Sequence, residues 1–119
     1  MTEKEKFLRT FHRAFAENDT GYIMDNITQD ISWDIPGDRY VQGKEAFASA
    51  LKEMKNEGKT KTEIEHVITH GKTAAVNGTV LYENGMSHAF CDIYVFSGFK
   101  DPKVKEITSY VVRINNRSR

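Results

Sequence analysis

Thr73-Ala-Ala-Val-Asn-Gly-Thr-Val-Leu-Tyr-Glu83 and Met86-Ser-His-Ala-Phe-Cys-Asp-Ile-Tyr-Val-Phe-Ser-Gly-Phe99, joined by Asn84-Gly85, decide the fold. Both runs hold many β-branched and aromatic residues, and the Asn-Gly between them is a strong signal for a two-residue hairpin turn. Working outward, Thr62 to His70 turns at Gly71-Lys72 into the first run. After the second, Lys100-Asp-Pro102 reads as a loop, and Val104 to Ile114 is a further β-prone run. The second half of the chain is therefore predicted as a four-strand antiparallel meander.

The first half is predicted as three helices interrupted by one strand. Thr2 and Glu5 have the spacing of a capping box, in which side chain and backbone satisfy each other's free groups. Phe7, Phe11 and Phe15 recur every four residues, with Leu8 and Ala14 beside them, so one helical face is apolar. Asn18-Asp-Thr-Gly21 ends that helix, and a short second one, about Tyr22 to Ile27, starts from Asp19 or Thr20. Ile31-Ser-Trp-Asp-Ile35 is a β-prone run stopped by the turn pair Pro36-Gly37. After Gly43, a third helix covers roughly Lys44 to Glu57, with Phe47, Ala50, Leu51 and Met54 inward. The mixed charges of Lys52 to Lys61 read as a solvated helix end and loop, and Asn115 to Arg119 as a frayed tail. Helices grouped ahead of a meander give an α+β class, with the helices on one face of a curved antiparallel sheet.

The totals agree. A chain of 119 residues suits a single domain, 1–119, with one core. Hydrophobic residues at 39% and charged residues at 29% describe a globular protein rather than a disordered one. Seventeen basic residues balance seventeen acidic ones, so no overall basic field draws nucleic acid or an anionic membrane. Cys91 is the only cysteine, which suits a reducing compartment. The charged N-terminus is unlike a signal peptide, and no apolar run approaches the roughly 18 residues that span a bilayer. A cytoplasmic location is the expectation. His12, His66, His70 and His88 show no metal-ligand spacing, and no cofactor motif is present.

Trp33-Asp-Ile-Pro-Gly37 followed by Gly43 opening a helix, with the later Tyr94-Val-Phe96 and Ile107-Thr-Ser-Tyr110, resembles the SnoaL-like pattern of the nuclear transport factor 2-like superfamily. The likeness covers nearly the whole chain. It implies a cone-like, cystatin-like arrangement of curved sheet and three N-terminal helices around one apolar pocket, and a homodimer through the sheet. Asp34 lies nine residues before Gly43 and Asp92 four before Phe96, spacings similar to those of the two pocket aspartates of ketosteroid isomerases. That likeness implies Asp34 as general base and Asp92 as a neutral acid donating to an enolate oxygen. Phe11 stands where the isomerases carry their oxyanion tyrosine, and it has no hydroxyl.

Physical chemistry supplies the rest of the candidate site. A carboxylate in an apolar cavity has its charged form disfavoured, so its pKa rises toward neutrality. Strand alternation places His88, Phe90, Asp92, Tyr94 and Phe96 on one face and Cys91 on the other. Trp33 and Asp34, as strand neighbours, face opposite sides. The residues predicted to line the pocket are Phe11, Phe15, Trp33, Tyr40, Phe47, His88, Phe90, Tyr94, Phe96 and Val111. His12 falls near the edge of the apolar helix stripe, and His66 and His70 read as sheet-face residues. Arg113 is an anion-binding candidate if it faces inward. The function expected is an isomerase-, cyclase- or dehydratase-like enzyme doing acid–base chemistry on a small apolar carbonyl compound. The alternatives are a non-catalytic binding domain for a small hydrophobic ligand and a dimeric interaction module.

Overall fold

The computed structural model describes residues 2–54, 60–98 and 103–114. The end of the predicted third helix, the Lys100-Asp-Pro102 loop and the polar tail lie outside the described residues. Helix α1, Glu3–Ala16, begins at Thr2, whose hydroxyl accepts from the Glu5 amide at 3.1 Å. Its Phe7, Phe11 and Phe15 rings pack along the helix, tilted and then edge-to-face, at centroid distances of 5.5 and 5.3 Å. Helix α2, Thr20–Asp25, takes its cap from Asp19, which accepts from the Tyr22 amide at 3.2 Å. It ends two residues earlier than predicted because Ile27 is drawn into strand β1, Ile27–Ile35, opposite Val104.

Strand β2, Arg39–Gln42, was not predicted, and it makes a hairpin with β1 around Pro36-Gly37. It is an edge strand in which only Val41 is buried, so it carries almost no hydrophobic period to read. Helix α3, Lys44–Glu53, buries Phe47, Ala50 and Leu51 as predicted, while Met54 beyond its end stays partly exposed. Strands β3, Thr60–His70, β4, Thr73–Tyr82, β5, Ser87–Phe96, and β6, Val104–Ile114, form the expected meander. The β4–β5 loop holds three residues rather than two. Tyr82 pairs with Met86, and Gly85 alone takes a positive φ, 87°.

All six strands join one sheet in the order β2-β1-β6-β5-β4-β3. The β1–β6 pairing is parallel, a departure from the all-antiparallel sheet read from sequence. The sheet is curved and unclosed, and helices α1 and α3 pack into its hollow. Phe11 sits edge-on to Tyr94 of β5 at 6.0 Å, and Phe47 of α3 lies 5.1 Å from the Trp33 ring of β1. These contacts, with the fully buried Leu8, Ile31, Val76 and Val104, make the core.

A β-bulge between Ile64 and His66 bends β3 against β4. Opposite the bulge is Gly78, where an added methyl would collide with the Glu63 carbonyl. Backbone approaches that close only because glycine is there. Gly78→Ala is expected to cost about 2 kcal/mol in urea unfolding, the scale of forced overpacking. Gly98→Ala, where nothing among the described residues stands within 4 Å, is the control and stays within about 0.5 kcal/mol of wild type.

Candidate functional site

Between the helices and the hollow face of the sheet lies a cavity of about 680 Å³. His12 and Phe15 enter it from α1, Trp33 and Ile35 from β1, and Phe90, Asp92 and Tyr94 from β5. Ile107, Ser109, Val111 and Arg113 enter from β6. The alternation that predicted His88, Phe90, Asp92 and Tyr94 on one strand face therefore places these side chains around one hollow.

A buried polar cluster is set in the wall where α1 meets β5 and β6. The Tyr94 hydroxyl lies 2.8 Å from His12 Nε2, and the same nitrogen lies 3.5 Å from an Asp92 carboxylate oxygen. The His12 ring stacks on Phe90 at 5.2 Å. Trp33 Nε1–H donates to Ser109 Oγ at 3.0 Å, and Ser109 and Tyr94 both hydrogen-bond Asp92. With Asp92 ionised and the His12 proton on Nε2, every donor points one way: Trp33 to Ser109 to Asp92 from one side, His12 to Tyr94 to Asp92 from the other.

Burial sets the charges. The side chains of His12 and Asp92 are only 8% and 14% exposed. Desolvation lowers the His12 pKa to about 4, so the imidazole is neutral at pH 7. Desolvation raises the Asp92 pKa to about 6, while the Ser109 and Tyr94 hydrogen bonds pull it back down. The pair lies close enough for a salt bridge, yet the two groups are not charged together, because His12 loses its proton before Asp92 does. The Tyr94 pKa is pushed far up, first by burial and then by Asp92. Among the described residues no third ligand joins His12 and Asp92 to hold a metal.

The sequence-predicted residues divide. Phe15, Trp33, His88, Phe90, Asp92, Tyr94 and Val111 line the cavity. Asp34, Phe11, Tyr40, Phe47 and Phe96 do not. Asp34 and Tyr40 are cross-strand partners on the sheet face away from the cavity, and Tyr40 is 62% exposed. Trp33, next to Asp34, takes the inward position, so the base predicted at Asp34 is withdrawn from the site. Phe11, Phe47 and Phe96 are core residues behind the wall. His12 is the residue that the sequence reading underrated. Its spacing from Leu8 and Phe15, four and three residues, does mark a second inward stripe beside the phenylalanines. Cys91 faces the other side of the sheet, with Ile68, Ala75 and Val112, and burial raises its thiol pKa. His66 bonds Asn77 on that same side at 2.9 Å.

The SnoaL-like domain profile matches residues 8–107. The chain belongs to the SnoaL-like family. No curated protein matches it. A nuclear transport factor 2-like protein of unknown function from Cytophaga hutchinsonii shares 24% identity over 91% of this chain and 98% of its own, with a TM-score of 0.71. A provisionally named ketosteroid isomerase from Kribbella flavida shares 11% identity over 94% and 79%, with a TM-score of 0.74. Nuclear transport factor 2 from Cryptosporidium parvum shares 15% over 90% of each chain, with a TM-score of 0.77. At these identities the likeness establishes the fold of this SnoaL-like domain and leaves its chemistry to its own residues.

The two shifted groups act on stability with opposite sign. The raised Asp92 contributes stability present below about pH 3.8 and lost as pH rises through about 6. The lowered His12 contributes stability present above about pH 6.5 and lost as pH falls toward about 4. Together they nearly cancel. Relative to wild type, His12→Gln should lose about 3 kcal/mol between pH 4 and 6, and Asp92→Asn about 3 kcal/mol between pH 6.5 and 4. Urea unfolding across that range reads both slopes.

Proposed function

We propose that this SnoaL-like domain is an enzyme that moves a proton to and from a carbon next to a carbonyl group. Its ligand is a small, mainly apolar molecule held in the cavity. The supporting observation is the cluster of Asp92, Tyr94 and His12, in which one carboxylate and one imidazole are buried together against the Phe90 ring. A carboxylate with a pKa of about 6 is ionised at pH 7 yet basic enough to be an effective general base. In the step proposed, an Asp92 oxygen takes the α-proton, and the C–H electron pair passes into the enolate. Asp92 then returns the proton to a different carbon, giving isomerisation, or to a departing hydroxyl, giving dehydration. Tyr94 and neutral His12 hold the carboxylate in place and can reverse their hydrogen bonds once it is protonated. Asp92 thus serves as base, not as the standing acid of the isomerase likeness.

The test is α-hydrogen exchange of β-tetralone in deuterated buffer, followed by NMR. Wild type should accelerate exchange, and Asp92→Asn should lose on the order of 100-fold, the usual contribution of a positioned base. Asp34→Asn should exchange as wild type does. Loss with Asp34→Asn but not with Asp92→Asn would overturn the assignment.

The same proposal includes a homodimer through the outer sheet face, which presents Ile68 at 63%, Tyr110 at 52% and Val112 at 64% exposure. Apolar area of that kind on one sheet face suits a self-complementary contact. Val112→Asp should shift light-scattering mass from dimer to monomer, and an unchanged mass would remove that face from the interface.

A further inference from the structure

The far end of the cavity carries a second set of polar groups, on the same sheet face as Asp92 but displaced along the strands. Arg113 is the cation among the cavity-lining residues, and it lies directly across from His88. His88 Nδ1 is 3.2 Å from the Tyr82 hydroxyl. Tyr82 in turn faces Thr60 across β3 and β4. The Thr60 hydroxyl, three strands away from Arg113, is buried at the cavity wall with no hydrogen-bond partner among the described residues. Arg113 makes no ion pair among the described residues, and its Nη2–H donates to the Met86 sulfur at 4.0 Å. Among the described residues, the other carboxylate on the cavity lining besides Asp92 is Asp38, which is engaged by Arg39 at 3.5 Å.

Arg113 is exposed at the mouth of the cavity, with His88 as its cross-strand neighbour and no counter-ion among the described residues, and a guanidinium so placed is matched by an anion entering the cavity. Should the Tyr82 hydroxyl donate to His88 Nδ1, the His88 Nε2–H becomes a further donor beside Arg113. One positive charge in a planar fork matches a carboxylate. Two strands give the same distance to the base. His88 precedes Asp92 by four residues, and Arg113 follows Ser109 by four, about 13 Å in each case.

We infer that the ligand is an amphipathic carboxylate, bound with its anion at Arg113 and His88, its apolar body against Phe90 and Val111, and its reacting end at Asp92. This rests on the cavity being the substrate site proposed above and adds the class of substrate: an oxo- or hydroxy-carboxylic acid whose two polar ends lie on the order of 10 Å apart. The anion fixes which carbon meets the base.

Calorimetric titration with two probes tests it. One is naphthol; the other is a hydroxynaphthoate with phenol and carboxylate at opposite ends of the two rings. Wild type should bind the hydroxynaphthoate about tenfold or more tighter than naphthol, as a charged hydrogen bond provides. Arg113→Gln should reduce that preference to about threefold or less, and Arg113→Lys should keep part of it. Raising the salt concentration should narrow it in wild type. Equal affinity for the two probes in wild type, or a preference that survives Arg113→Gln, overturns the carboxylate subsite while exchange of β-tetralone still stands or falls on Asp92. Failure of both probes to bind overturns the subsite and the substrate cavity together.

Discussion

The parallel contact of β1 with β6 is the constraint from which the site follows. A four-strand meander alone is a curved sheet with one face open to water. Bringing β1 alongside β6, with Trp33 opposite Ile107, folds a wall over that face and sets the indole N–H against Ser109. Ser109 is opposite Asp92 on the next strand, so a contact between chain segments 76 residues apart supports the carboxylate. Helix α1 completes the enclosure by laying His12 against Tyr94 and Phe90. The polar groups of the cluster thus come from four elements, α1, β1, β5 and β6, and only Asp92 and Tyr94 share a strand.

Much of the fold is legible in the sequence because its signals are local. The Thr2 and Asp19 caps, the phenylalanine ladder and the Gly85 turn each involve neighbours in the chain, and each is found in the structure. Strand β2 escaped because four mostly exposed residues leave no period to detect. On β5, alternation correctly grouped His88, Phe90, Asp92 and Tyr94 on the cavity face. Asp34 was a different case. Its spacing to Gly43 fitted a pocket base, but Trp33 and Asp34 cannot both point inward from one strand. Burying an indole whose N–H is satisfied is favourable, whereas burying a second carboxylate near Asp92 is costly. The partnership of His12 with Asp92 joins residues 80 positions apart, and nothing short of the folded sheet announces it.

The charge state of the cluster reflects a balance. Burial disfavours both ionised forms, and the hydroxyls of Ser109 and Tyr94 return enough stabilisation to keep Asp92 ionised near neutrality. A salt bridge with protonated His12 would hold the carboxylate more firmly and make it a poorer base. Keeping the imidazole neutral leaves Asp92 free to accept a proton, the property on which the proposed proton transfer rests.

Trp33 is the only tryptophan in the chain, and it stands in the cavity wall with Phe15 and Phe47 packed on its ring and Ser109 on its N–H. Any molecule that fills the cavity must change the surroundings of that indole, and no other indole dilutes its emission. The domain therefore carries an intrinsic optical gauge of occupancy, one that responds to a colourless ligand and needs no label on the protein.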